Sequence, residues 1–249
     1  MSFDITGRGN FEQLYAAPTA TPTATIGDVM EDEMGGRWRY CKAGADITNP
    51  LMPAGNYSQP SDCSVTATAV GSFTIPCTSL TVYDTVAANQ FANGVIIIGA
   101  AAANRRWYHI RSNPAATTDD VTITLYHPVR YAIAGTEWAT LTASPYYDVR
   151  PFGSGTSGFM SAVCMPMQPV TSGYYFWGKT RGPIFGVVSS TVPGAAANHR
   201  LCVFQAGDGA LVMAHEKWAS TSEQIAGYLI PHTGDTYAAG DQTLMLQLE

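Results

Sequence analysis

From Ile26 onward the chain is written in short apolar-patterned runs separated by turn residues every 8 to 15 positions, the rhythm of strands rather than helices. Arg37-Trp38-Arg39-Tyr40-Cys41-Lys42-Ala43 alternates charged with aromatic or apolar positions, as a half-buried strand does, and Ala43-Gly44-Ala45-Asp46 breaks it. Further short strands are predicted at Val65-Thr66-Ala67-Thr68-Ala69-Val70 and Leu80-Thr81-Val82-Tyr83. Val95-Ile96-Ile97-Ile98-Gly99 is an unbroken β-branched run, the pattern of a strand covered on both faces. Trp107-Tyr108-His109-Ile110-Arg111 and Val121-Thr122-Ile123-Thr124-Leu125-Tyr126 alternate, divided by the turn residues Ser112-Asn113-Pro114 and Asp119-Asp120. Residues 222–229 suit two helical turns or a strand equally. The expected fold is mainly β, a β-sandwich or β-barrel-like domain or domains with few short helices.

Two segments depart from this rhythm. Residues 1–25 show no sustained period and end in Ala17-Pro18-Thr19-Ala20-Thr21-Pro22-Thr23-Ala24-Thr25, where two prolines disfavour a helix and favour extended backbone. We read this as an extended N-terminal arm that gains order from a neighbouring subunit, with Phe3, Phe11, Leu14 and Tyr15 as anchors; a frayed terminus is the plainer alternative. Residues 26–249 then form the β-rich globular region, divisible into two β subdomains near 151–160. The second segment, Tyr174-Tyr175-Phe176-Trp177-Gly178, runs into Lys179-Thr180-Arg181-Gly182-Pro183 and reads as an aromatic strand, a basic turn and another strand. Alternation puts Tyr174 and Phe176 on one face and Tyr175 and Trp177 on the other, so both faces need cover. Stacked rings can bind sugars, but packing is the favoured use.

Composition narrows the classes. The 249 residues carry 13% charged and 46% hydrophobic positions with 24 Gly and 15 Pro, which describes a folded, turn-rich chain able to bury its own core. A net charge of −6, with basic residues scattered apart from Arg37/Arg39/Lys42 and Arg105/Arg106, argues against a nucleic-acid partner. Cys41, Cys63, Cys77, Cys164 and Cys202 are odd in number and include no CxxC pair, which favours free buried thiols; a Cys63 to Cys77 hairpin bridge is the alternative. No secretory leader is recognised, and the aliphatic stretch 95–103 falls far short of the ~20 residues of a membrane helix. The expectation is a protein made in a cytoplasm, with no membrane partner.

Candidate chemistry is sparse. His109, His127, His199, His215 and His232 are not spaced as metal pairs, and His215-Glu216 lacks the second histidine of a zinc-protease helix, since position 219 is Ala. His109, on a predicted strand, reads as a structural histidine. Glu31-Asp32-Glu33 and Asp119-Asp120 read as solvated loops, and Ser154 sits in a glycine-serine loop without nucleophile-elbow spacing. No cofactor, metal, catalytic residue or small-molecule substrate is expected.

Three separated stretches resemble structural proteins of tailed-phage heads: residues 26–47, with Arg37-Trp38-Arg39-Tyr40-Cys41-Lys42-Ala43-Gly44; the blocks between Phe91 and Tyr146; and Tyr174 to Pro183. The resemblance implies a non-enzymatic capsid cement or decoration protein at the surface of the virion. Such a protein binds the assembled head, commonly as a homotrimer, and stabilises contacts between major capsid protein subunits. The residues taken as contacts are Trp38, Tyr40, Trp107, Tyr175, Trp177, Lys179 and Arg181, with Phe3, Phe11 and Tyr15 on the arm. The rival readings are a tail or fibre module binding host carbohydrate and a polysaccharide-degrading enzyme using Asp119/Asp120 or Glu216.

Overall fold

The computed structural model describes residues 5–8, 11–99, 105–152, 160–188, 200–205, 207–214, 223–230 and 242–249. Phe3, Ser154, His199, His215, Glu216 and His232 lie outside the described residues, as does the side chain of Phe11. The chain is mainly β, with a helical turn, α1, at Phe11–Leu14 ahead of the proline tract. Among the described residues no helix is long and apolar enough to cross a membrane.

The chain forms two compact units: residues 58–147 make one, and residues 1–57 with 148–249 make the other, so the first is inserted into the second. The larger unit begins with β1 (Ile5–Arg8), β2 (Val29–Glu31), β3 (Arg37–Lys42) and β4 (Ala54–Asn56). The inserted unit holds β5 (Ser61–Val65), β6 (Thr74–Thr78), β7 (Val95–Ile98), β8 (Arg106–Ser112), β9 (Val121–Leu125) and β10 (Trp138–Thr142). The larger unit resumes with β11 (Val149–Pro151), β12 (Ser161–Pro166) and β13 (Tyr175–Gly186). It ends with β14 (Leu201–Phe204), β15 (Leu211–Met213), β16 (Gln224–Leu229) and β17 (Gln242–Gln247). The units thus divide at 57/58 and 147/148, whereas the glycine-serine segment had suggested a division near 151–160.

The inserted unit is a closed antiparallel barrel in the order β10-β5-β6-β9-β8-β7. Period-two alternation sends one residue in two to the interior. Cys63, Val65, Ile75, Cys77, Ile96, Ile98, Ile110, Ile123, Leu125, Ala139 and Leu141 all point there and are buried in one cluster. Three sequence expectations change. The strand read at Val65 to Val70 lies earlier, at Ser61–Val65, with only an isolated bridge from Thr68 to Ile133 beyond it. Val95 and Ile97 are only half-buried, so the β-branched run is covered on one face and not two, because a closed barrel gives each strand one interior. Residues 80–83 form no strand: Leu80 N donates to Asp119 O at 3.0 Å and Thr81 N to Asp62 O at 2.9 Å, so backbone groups are satisfied by a crossing loop.

The larger unit is an eleven-stranded sheet with the path β1-β2-β3-β13-β17-β16-β14-β15, to which β12, β4 and β11 are joined at β13. Residues 224–229 are a strand, resolving the earlier ambiguity. The aromatic run is not followed by a turn. Residues 175–186 are one continuous strand, which pairs with β3 over Tyr175 to Arg181 and with β17 over Arg181 to Gly186. The expected turn becomes a partner switch, made by an irregularity in register between Lys179 and Arg181 and by Gly182 at φ 102°, which L side chains rarely adopt. A Cβ at 182 would also lie 2.8 Å from Gly36 Cα, so a side chain has no room there.

Candidate functional site

The site is built on β3 and β13, whose registers pair Trp38 with Lys179, Tyr40 with Trp177 and Lys42 with Tyr175 on one sheet face. Cross-strand neighbours at this spacing touch. Tyr40 stacks on Tyr175 at 5.9 Å and 10°, and lies 5.0 Å from Trp177 at 58°. The Lys42 ammonium is 5.6 Å from the Tyr175 ring and that of Lys179 is 5.0 Å from the Trp38 ring.

Lys179 is buried, and its Nζ is 3.7 Å from Asp32 Oδ2. Asp32 Oδ1 accepts from Gly36 N at 2.7 Å and Met34 N at 3.0 Å, and Oδ2 accepts from Trp38 Nε1 at 3.3 Å. Burial pushes the Asp32 carboxyl up, but those hydrogen bonds and the Lys179 charge outweigh it and hold the pKa below the usual carboxylate range. Burial also pulls the Lys179 ammonium below its ordinary value, against the pull of Asp32. The acidic cluster read as a solvated loop therefore contributes one carboxylate to an internal ion pair.

Residues 14–25 lie over this face of their own sheet. Leu14 is buried with Met30 and Trp38, and Tyr15 meets Trp38 edge-on at 5.7 Å. Thr19 and Tyr175 exchange backbone hydrogen bonds at 3.0 and 2.8 Å, while Tyr40 OH accepts from Thr23 N at 2.8 Å. The Ala/Pro/Thr tract, expected to be extended, instead bends at 20–21 and 23–24 and is bridged to the sheet at Thr19, so that it forms a strap. Between strap and sheet lies a cleft of ≈ 520 Å³, walled by Tyr40, Tyr175, Trp177 and Met30, with Thr19, Thr23 and Asp28 as polar groups. Burial raises the Asp28 pKa, opposed by its hydrogen bond from Thr25 N and by Arg39. Arg39 is held by two bonds to Glu249, at 2.7 and 2.9 Å, and donates to Gly27 O at 2.8 Å.

The opposite face of β13 explains the glycine that closes the aromatic run. A Cβ at 178 would lie 2.6 Å from Cys164 Sγ, and Cys164 Sγ lies 3.7 Å from Cys41 Sγ. Cys41 and Cys164 belong to β3 and β12, which flank the same central strand β13. All five cysteines are free and buried, Cys63 and Cys77 included. Burial and the Cys164 thiol push Cys41 up, the Cys63 thiol and burial push Cys77 up, and burial pushes Cys202 up to about 12. Native protein is therefore expected to give no thiol reaction with Ellman's reagent, and all five on denaturation. A cysteine that titrates at a free-thiol rate in native protein contradicts this.

Of the residues singled out as contacts, Trp38, Tyr40 and Lys179 are buried in the larger unit, with Tyr40 also walling the cleft. Tyr15, Tyr175 and Trp177 are half-buried beneath or beside the strap, and Arg181 is exposed. Trp107 lies elsewhere, on the outer face of the barrel, 62% exposed and edge-on to His109 at 5.0 Å. His109 is thus an outward-facing ring neighbour and not an interior histidine. Sequence reading missed Trp138, Tyr131 and Phe73, which are also exposed on the inserted unit. The alternation of 138–142 carries the signal for Trp138, since Ala139 and Leu141 are the inward positions. Among the described residues no group of three or more His, Cys, Asp and Glu is placed to hold a metal ion. No family model, curated protein or solved structure matches this chain.

Proposed function

We propose that the chain is a non-enzymatic virion structural protein, a capsid cement or decoration protein that binds the assembled head and stabilises contacts between major capsid protein subunits, acting as a homotrimer. The observation that carries this reading is the exposure of Trp107, Tyr131, Trp138 and Phe73 on a barrel whose core is complete without them. Large rings left in water are the usual anchors of protein association. Burying such surface contributes ~25 cal/mol per Å², and symmetry multiplies a modest contact over a shell. The resemblance to tailed-phage head proteins points to the same role. Virions or shells carrying the protein, imaged by cryo-EM, are expected to show it in symmetric copies on the outside of the head. Its absence from heads overturns the reading.

The strap cleft favours a second reading, a tail or fibre module binding host carbohydrate. Trp177 and Tyr175 supply partly exposed rings there, and Thr19, Thr23 and Asp28 supply hydroxyls and a carboxylate. Glycan-array binding that is lost in Trp177→Ala, together with location on the tail, would establish this reading over the first.

A further inference from the structure

Outward positions of β8 follow from its alternation: Tyr108 and Ile110 face the barrel core, so Trp107, His109 and Arg111 face out, and Arg105 one residue ahead shares their parity. The stripe therefore reads Arg-Trp-His-Arg. Registers extend it sideways, because Ile97 of β7 is paired with Trp107 and Val95 with His109, and both are half-buried outward residues. On the far side of β7, Ile97 is paired with Thr140 of β10, two positions from the exposed Trp138. Three adjacent strands thus present an apolar band of Trp107, Ile97, Val95 and Trp138. The outer faces of β5, β6 and β9 instead carry Asp62, Ser64, Thr74, Thr78, Thr122 and Thr124.

Charge on the β8 stripe is one-sided, whereas Glu137 precedes Trp138 and Asp62 lies opposite Thr140 at the β10 side. Residues 58–147 contain four arginines and no lysine, and three of the four, Arg105, Arg106 and Arg111, are on or beside β8. Arg106 is held by Glu137 at 2.9 Å, but among the described residues Arg105 and Arg111 have no ion-pair partner, and both are exposed. Two free guanidinium groups bracketing an exposed tryptophan select an anionic surface that also has something apolar to bury. The convex outside of a barrel receives another surface in preference to a small molecule. A net charge of −6 on the whole chain opposes a polyanion such as nucleic acid at long range, whereas an acidic protein patch needs only local complementarity.

Resting on the assembly reading above, we infer that the β8 stripe, with Ile97 and Trp138 beside it, is the docking surface for an acidic patch of a partner protein, Trp107 being the anchor. The test measures binding of the full chain, by biolayer interferometry, to an immobilised random copolymer of glutamate and tyrosine, with heparin and single-stranded oligothymidylate as non-protein polyanions. Saturable binding to the copolymer is expected. It weakens by about tenfold in Trp107→Ala and in Arg111→Glu, and falls steeply from about 50 to about 500 mM NaCl. Arg111→Lys retains most of it. The substituted side chains are exposed, so the melting curves of the variants stay at the wild-type value; if Trp107→Ala unfolds, Arg111→Glu carries the test alone. No saturable binding, or binding undiminished in the variants, overturns the inference. Tighter binding of oligothymidylate or heparin through the same residues also overturns it. Occupancy on heads is measured independently, so a head-bound protein with an inert stripe fails this inference while the cement reading stands.

Discussion

Asp32→Ala is expected to destabilise the protein by about 3 kcal/mol, whereas Lys179→Met changes it by no more than about 1 kcal/mol, as read by urea or thermal unfolding. The asymmetry follows from what each substitution leaves behind. Removing the carboxylate strands the buried Lys179 ammonium and deprives Gly36 N, Met34 N and Trp38 Nε1 of their acceptor. Removing the ammonium leaves Asp32 with all three donors, and a methionine keeps most of the lysine stem against Trp38. Equal losses in the two variants would show that the pair acts as an exposed ion pair. The pH dependence has a definite sign. Because the folded Asp32 pKa lies below its ordinary value, its contribution is fully present above the unfolded carboxylate value of about 3.9 and is lost as pH falls through the folded value. Asp32→Asn should therefore flatten the acid limb of the stability curve. Lys179 acts at the other end: its folded pKa is depressed, so the unfolded chain binds more protons between that value and about 10.4, and stability gains from rising pH there.

The segment 58–147, expressed alone, is expected to fold cooperatively as a β-barrel. Its six strands close through hydrogen bonds to one another, and its core is drawn from residues within that span. Its ends already meet, since Ser58 Oγ donates to Tyr147 O at 2.9 Å, so excision breaks the chain where the two termini are adjacent. A unit of 90 residues, counted from 58 to 147, should melt in one transition with an enthalpy of about 60 kcal/mol. The reciprocal construction joins Tyr57 to Asp148 through a short glycine-serine link, next to the existing bond from Tyr57 N to Asp148 O at 3.2 Å. It should retain the near-ultraviolet signal of the Trp38, Tyr40 and Trp177 cluster. A broad, non-cooperative melt of 58–147 would show that the barrel depends on the rest of the chain.

The aromatic strand shows where legibility in the sequence stops. Alternation correctly predicts that Tyr175 and Trp177 share a face with cover on both sides of the strand, and the strap and Cys164 are that cover. Residues 179–183 look like a turn because Gly and Pro usually mark one, yet Gly182 uses its positive φ to let a single strand change partners. Lys179 looks like a surface cation. Only its placement opposite Trp38 and beside Asp32, which are distant in sequence, makes it an interior group. Residues 80–83 alternate like a strand but find their hydrogen bonds in a loop crossing, a choice no local pattern encodes.

By itself the sequence determined that the chain is mainly β and which residues share a strand face, since these follow from period-two patterning within a few positions, while it favoured free thiols and left the Cys63 to Cys77 bridge open until the structure showed all five free. Tertiary structure alone decided which face of each strand is interior. Trp38 and Tyr40 became core while Trp107 and Trp138 became surface, although all four sit in similar alternating runs. Alternation sorts side chains into two sets but carries no information about which set closing a sheet into a barrel, or laying a strap across it, will remove from water.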